Sequence, residues 1–389
     1  MTPAARISAA IEVLDGVLAG DAAEKLLTTW GRQNRFAGSK DRAAIRDHVY
    51  DALRCRRSFA ALGGAETGRG LMLGACRAGG VDPASLFTGQ GHAPAPLSAE
   101  EAALDLTPDD LPEAVALDCP DWLSGPLRDS LGDDFAPVMQ ALRHRAPVFL
   151  RVNLRKTTRD QAQVILQNEG IATRPHPLSP TALEVTENPR RVQTSAAYRD
   201  GLVELQDAAS QAITDMLPLV DDMRVLDLCA GGGGKTLAMA GRAQARFFAH
   251  DVAPQRMRDL PERATRAGVK VTLLQADEPE SSRAFNLVLA DVPCSGSGAW
   301  RRSPEGKWRF DRAALERLVQ TQARILDRAA ALVAPGGHLA YATCSLLRAE
   351  NADQIAAFQA RAAFRLVETR RLTPLDGADG FFVAILMRD

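Results

Sequence analysis

Val225-Leu226-Asp227-Leu228-Cys229-Ala230-Gly231-Gly232-Gly233-Gly234-Lys235-Thr236 reads as a buried strand that runs into a four-glycine turn and then a helix. Downstream, apolar runs recur at residues 246–251, 270–277, 285–294 and 338–344, with helical stretches between them, notably 311–333. Strand, turn and helix repeated in this way predict an α/β fold whose mostly parallel sheet is covered on both faces. Residues 364–369 and 381–387 predict two more strands with no long helix between them, an antiparallel hairpin at the sheet edge.

The glycine loop fits neither common phosphate motif. A Walker A loop needs glycine where Cys229 stands, and GxGxxG fails at its last position, which falls on Thr236 or Leu237. What remains is a loop whose backbone can approach a ligand closely, at the strand ends where open α/β sheets bind their ligands. Cys229, Ala230, Gly231, Gly232, Gly233, Gly234 and Lys235 are the candidate binding positions. Acids close the strands that follow: Asp251, Asp277 and Asp291. A carboxylate at Asp251 can accept both hydroxyls of a ribose. Three acids in register behind a glycine loop point to an adenosyl ligand. With both nucleotide motifs absent, S-adenosylmethionine fits better than ATP or NAD.

Two thiols end the last parallel strands. Asp291-Val292-Pro293-Cys294-Ser295-Gly296-Ser297-Gly298 follows one, and Thr343-Cys344-Ser345 follows the next. In a parallel sheet these ends share an edge with the glycine loop, so Cys294, Cys344 and Asp291 should converge there. A metal site is a poor reading, because His338 is the one histidine nearby. Two thiols and an acid suit methylation at carbon 5 of cytosine. That carbon is a weak nucleophile until a thiolate adds to carbon 6, which splits a hard step into easier ones. An acid near ring nitrogen 3 would stabilise the adduct, and a base must later remove the carbon 5 proton.

The C-terminal part resembles the RsmB/NSUN family of RNA cytosine-5 methyltransferases. The segments that carry the resemblance are Arg151-Val152-Asn153 with Lys156, residues 205–210, the 226–236 loop, Asp291 to Gly298, and Thr343-Cys344-Ser345 followed by Glu350-Asn351. They span about residues 120–389. The run Arg301-Arg302-Ser303-Pro304-Glu305-Gly306-Lys307-Trp308 looks most like the bacterial ribosomal RNA branch, and residues 40–54 resemble its NusB-type helical domain. The resemblance implies a Rossmann-like class I S-adenosylmethionine methyltransferase domain. It implies that Cys344 is the nucleophile, that Cys294 assists release of the methylated product, and that Asp291 contacts the base. It also implies that residues 229–235 with Asp251 and Asp277 hold the cofactor. The chain departs from the family at Gly231-Gly232, where Ala-Pro is usual, and the loss of proline should loosen the loop.

The remaining sequence sets the context. Residues 1–82 predict an all-α domain, with Ile7, Ile11, Leu14 and Leu18 at helical spacing. Residues 83–130, rich in proline, predict a linker with at most short helices. Residues 131–202 predict a small α+β RNA-binding unit, with strands at 148–153 and 182–186 and a capping box from Thr158 and Gln161 for a helix ending at Gly170. Residues 203–389 form the expected methyltransferase domain.

Apolar residues make up 46% and charged residues 24% of the 389, as in soluble globular proteins. The net charge of −1 confines any nucleic-acid site to a local basic patch. Two candidate patches are Arg143-His144-Arg145 with Arg151, Arg155, Lys156 and Arg159, and Arg301, Arg302, Lys307 and Arg309 beside Trp300 and Trp308. The six cysteines form no CxxC pair, and no signal or membrane-spanning run is evident, so reduced thiols and a cytoplasmic setting are expected. The expected partner is RNA, ribosomal before transfer RNA, with no membrane, metal or obligatory protein partner and a monomeric chain. A non-catalytic RNA-binding ribosome assembly factor is the alternative from another class, and the paired cysteines argue against it.

Overall fold

The short strand β5 (Arg224–Asp227) has Val225 and Leu226 fully buried on opposite faces, which forces it into the middle of a covered sheet. The computed structural model describes residues 1–275 and 284–389. In chain order its other strands are β1 (Val148–Val152), β2 (Thr173–Pro175), β3 (Ala182–Val185), β4 (Val203–Leu205), β6 (Arg246–Ala249), β7 (Val271–Leu273), β8 (Phe285–Asp291), β9 (Val333–Thr343), β10 (Phe364–Leu372) and β11 (Phe381–Arg388). By contacts the chain divides into two units, Met1–Arg145 with Trp300–Arg309, and Ala146–Ala299 with Phe310–Asp389.

The second unit carries both sheets. Among the described residues the larger has seven strands, in the order β10-β11-β9-β8-β5-β6-β7. β5 pairs in parallel with β6 and β8, β6 with β7, and β8 with β9. β11 is antiparallel to both β9 and β10. The sequence alternates along each strand so that both faces are filled. Val225, Leu287, Ala340 and Val383 pack on one side with Ala212 and Met239. Leu226, Val288, Leu339 and Ala384 pack on the other with Leu326, Ala329 and Phe358. This is the mixed α/β, Rossmann-like core expected, with the antiparallel hairpin at one edge.

Strand limits differ from the apolar runs. β5 stops at Asp227, because the chain then turns through Gly231 and Gly233 at φ +52° and +77°, and β6 stops at Ala249, ahead of Asp251. β9 starts at Val333 rather than 338. It carries Pro335, Gly336 and Gly337 through an irregular pairing with β8, a breaker signal that the sheet overrides.

The smaller sheet is antiparallel, in the order β2-β3-β1-β4. Helix Arg159–Asn168 packs on it, capped reciprocally by Thr158 and Gln161. β4 has only three residues and no period of its own, and it is a strand through its pairing with β1. β1 is fastened to the larger domain by the Arg151-Val152-Asn153 segment. The Asn153 amide donates to the carbonyls of Gly201 and Ala267 at 3.0 and 2.9 Å.

The first unit is helical, as expected for the N-terminal region: Pro3–Leu18, Ala23–Gln33, Ser39–Arg54, Arg56–Gly63 and Gly68–Ala78 bury one cluster around Leu14, Ile45, Val49 and Leu71. The proline-rich stretch 83–130 holds short helices, but it also contains most of the longer helix Asp121–Leu131, which the expected linker did not include. Segment Trp300–Arg309 packs in this unit, where the Lys307 ammonium and the Trp308 indole donate to the carbonyls of Arg54 and Leu53 at 3.2 and 2.6 Å. Among the described residues, no helix is long and apolar enough to cross a membrane, and no cluster of three or more His, Cys, Asp or Glu could hold a metal.

Candidate active site

The carboxyl ends of β5, β6, β8 and β9 open onto one cavity of about 670 Å³, within the roughly 300–1,000 Å³ usual for ligand sites. Of the candidate residues, Cys229, Ala230, Gly231, Gly232, Lys235, Asp251, Asp291, Cys294 and Cys344 line it. Gly233 and Gly234 do not; they form the back of the loop and the start of helix Gly234–Ala240. Asp277 lies outside the described residues.

Asp251 shapes the loop. Its Oδ2 accepts the Gly231 amide at 3.0 Å and stands 3.3 Å from Arg256, and its Oδ1 accepts the Ala253 amide at 2.9 Å. A carboxylate offers about four lone-pair sites, so Asp251 retains acceptor capacity toward the cavity. Val252 at 83% exposure and the half-buried Ile325 add apolar surface to the same wall.

The two thiols meet across neighbouring strand ends. Cys294 Sγ lies 3.4 Å from Cys344 Sγ. That hydrogen bond, and then burial, hold the Cys294 thiol well above the ordinary cysteine range. Either sulfur can be the donor in this contact. Cys229, on the cavity wall, is also pushed up, by burial first and then by the surrounding carboxylates.

Glu350 holds the two thiol loops together. Fully buried, its carboxylate accepts the Ser295 amide at 2.8 Å, the Ser295 and Ser345 hydroxyls at 2.5 Å each, and the Gln322 amide at 2.9 Å. Ser295 and Ser345 directly follow Cys294 and Cys344. Asn351 continues the bracket: its Oδ1 accepts the Thr343 hydroxyl at 2.6 Å, and its Nδ2 donates to the Ser345 carbonyl at 2.8 Å.

Lys235 donates to Asp291 Oδ2 at 2.7 Å, and its ammonium stands 4.9 Å from the centre of the Phe381 ring. Burial alone would depress this lysine, but Asp291 outweighs it and holds it above the usual lysine value. The pair sets a fixed positive and negative charge beside the thiols. Behind it, buried Asp227 accepts the Thr236 hydroxyl at 2.7 Å. Burial pushes its carboxyl up to about 7, against the pull of that hydrogen bond.

The basic patches need correction. Arg151 is buried: it bonds Gln206 Oε1 at 2.5 Å and the Gly234 carbonyl at 2.7 Å, and burial lowers it to about 10. Lys156 is exposed but caps the carbonyls of Asp200 and Arg266. In the other run Trp300, Arg301 and Lys307 are buried, and burial lowers Lys307 to about 8. Arg302 and Arg309 stay exposed, as do His144 and Arg145. A run of charge in sequence does not say which side chains reach solvent; the carbonyls left open at helix ends took several of these.

Sequence reasoning missed Asp227, Arg256 and Phe381, and gave Glu350 no role. Asp227 does carry a signal, as an acid at the end of the first strand of the α/β repeat. Phe381 reaches the cavity because β11 pairs beside β9, which no local pattern reveals.

Two family models match adjoining parts of the chain. The family model described as 16S rRNA methyltransferase RsmB/F matches residues 214–387, and the RsmF/B-like ferredoxin-like domain matches 119–193. Ribosomal RNA small subunit methyltransferase B of Klebsiella pneumoniae subsp. pneumoniae is 36% identical over 285 residues, covering 69% of this chain and 66% of that protein. The chain thus spans just under two thirds of the length of the curated relatives it matches. The crystal structure of PH0851 superposes with a TM-score of 0.79 at 24% identity, covering 99% of each chain. That of NSun6 from Pyrococcus horikoshii with SFG gives 0.62 at 19% identity, covering 69% of this chain and 98% of that one. At these identities the structures show a shared fold.

Proposed function

Because the chain belongs to the RsmB/F methyltransferase family, we propose that it methylates carbon 5 of a cytosine in ribosomal RNA, with S-adenosylmethionine as donor and Cys344 as nucleophile. The observation that carries this reading is the Cys294–Cys344 pair at 3.4 Å, in the wall of the cavity that also holds the glycine loop and Asp251. A binding fold alone needs no paired thiols there.

The residues present fit the cofactor. Main-chain groups of the glycine loop, an acid with spare acceptor sites and apolar Val252 and Ile325 make a wall suited to an adenosyl group. The related NSun6 structure is described with SFG, an S-adenosylmethionine analogue. Residues 229–232, Lys235 and Asp251 would hold the cofactor, which when bound supplies an electrophilic methyl group.

The chain's own groups do the rest. Cys344 sulfur adds to carbon 6 of the base, forming an S–C bond and moving electron density to carbon 5. The proton displaced from the Cys344 thiol passes to ring nitrogen 3, and the Lys235–Asp291 pair is assigned to the polar edge of the ring, where it carries that proton. After carbon 5 takes the methyl group it loses its proton to a base, the S–C bond breaks, and Cys344 leaves as thiolate. Cys294, in contact with that sulfur, is assigned to this release step. A thiol must approach carbon 6 face-on, so the cytosine has to be unpaired or flipped out of its stack.

Bisulfite sequencing of ribosomal and transfer RNA, after incubation with the protein and S-adenosylmethionine, tests the reading. One newly protected cytosine in small-subunit ribosomal RNA is expected. Protection confined to transfer RNA would move the substrate, and no protection in either would overturn the activity.

A further inference from the structure

We propose that Arg263 is a positioning residue for the cofactor, acting through the glycine loop without touching the ligand. This rests on the reading that the cavity takes S-adenosylmethionine. Four consecutive glycines leave the loop more backbone freedom than any other tetrapeptide would. Ordering such a loop on binding costs affinity, unless the protein orders it beforehand.

Two guanidinium groups order it from behind. Arg263, on helix Leu260–Ala267, donates one Nη to the Gly232 carbonyl and the other to Glu204 Oε2, the latter at 2.9 Å. Glu204 is buried on β4 and is also held by Arg266, so the strap is anchored in the smaller sheet. Arg151 on β1 holds the Gly234 carbonyl at 2.7 Å. The same helix closes the loop from below: a Cβ at Gly233 would lie 2.2 Å from Leu260 Cδ1. Both arginines lie outside the cavity lining, so they can reach the ligand only through the loop. A Cβ at Gly232 would meet the Arg263 guanidinium, at 3.1 Å, and nothing else within 4 Å.

Calorimetric titration of S-adenosylhomocysteine into the full chain tests this. Arg263→Gln should weaken binding roughly tenfold by removing pre-organisation, with the thermal midpoint changed by less than about 3 °C. Arg266→Gln removes a Glu204 partner but no loop contact, and should bind as wild type does. Gly232→Ala placed in the Arg263→Gln background should recover part of the lost affinity, because it stiffens the loop and the guanidinium it would have met is gone. If Arg263→Gln lowers the thermal midpoint by more than that, Arg263→Lys takes its place, and the same loss of affinity is expected. Wild-type affinity in these Arg263 variants, or no recovery with Gly232→Ala, overturns the role of Arg263. No binding by the wild-type chain overturns the cofactor reading instead.

Discussion

Cys294 Sγ lies 3.4 Å from Cys344 Sγ, although the residues are carried by different strands. At that separation one sulfur cannot act without the other responding. If Cys344 forms the bond to the base and Cys294 serves release, then removing Cys294 stops the reaction after the bond has formed. Cys294→Ala should accumulate an RNA–protein species that survives denaturing electrophoresis, and Cys344→Ala should form none. Equal trapping by both variants, or by neither, would refute these roles.

Asp251 joins the loop to the second strand end through Gly231 and Ala253. Asp251→Ala should weaken S-adenosylmethionine binding by about tenfold or more, as expected when a charged acceptor is lost from a buried site. Affinity for RNA should stay within about twofold, since nothing in that contact set faces a nucleic acid. An unchanged calorimetric isotherm for the cofactor would remove Asp251 from the binding site.

Glu350 receives four hydrogen bonds from three residues on three segments. Glu350→Ala should strand those donors in the interior and cost about 3 kcal/mol or more of unfolding free energy. Glu350→Gln should cost less, because it keeps one acceptor oxygen while turning an amide toward the donors. Urea denaturation followed by fluorescence measures both. A loss below about 1 kcal/mol for the alanine variant would show that the two thiol loops hold their shape without this bracket.

Burial raises the Asp227 carboxyl to about 7, so the folded chain keeps a proton there that the unfolded chain gives up near pH 4. Between those values the native state binds more protons, and stability falls as pH rises, levelling off above pH 7. The contribution is on the order of 1–4 kcal/mol across that window. Asp227→Asn should flatten this part of the pH–stability curve, read from thermal midpoints between pH 4 and 8. An unchanged slope would place the titration on another group.

Much of the larger sheet could be read in the chain because each strand fills both its faces, as Val225 and Leu226 or Leu287 and Val288 do, and because glycines mark the turn after β5. That parallel strand ends share an edge was enough to bring Cys294, Cys344, Asp291 and Asp251 to one cavity. What stayed hidden depends on partners distant in sequence. Val203–Leu205 is a strand only because β1 lies beside it. Arg151 and Lys307 look like surface charge, but carbonyls of Gly234 and Arg54 take them. Glu350 carries no local mark of its four bonds. Phe381 reaches the site through a pairing with β9 that spans a helix and another strand.

β11 follows both cysteines in sequence, yet it lies inside the sheet, between β9 and β10. During synthesis the emerging chain can form β5, β6 and β8 in turn, but β9 has no neighbour on its outer side until residues 381–388 leave the ribosome. Pairings of such long range form late and slowly. The thiol loops at the end of β9 therefore gain the support of β11 only after residues 381–388 have been made.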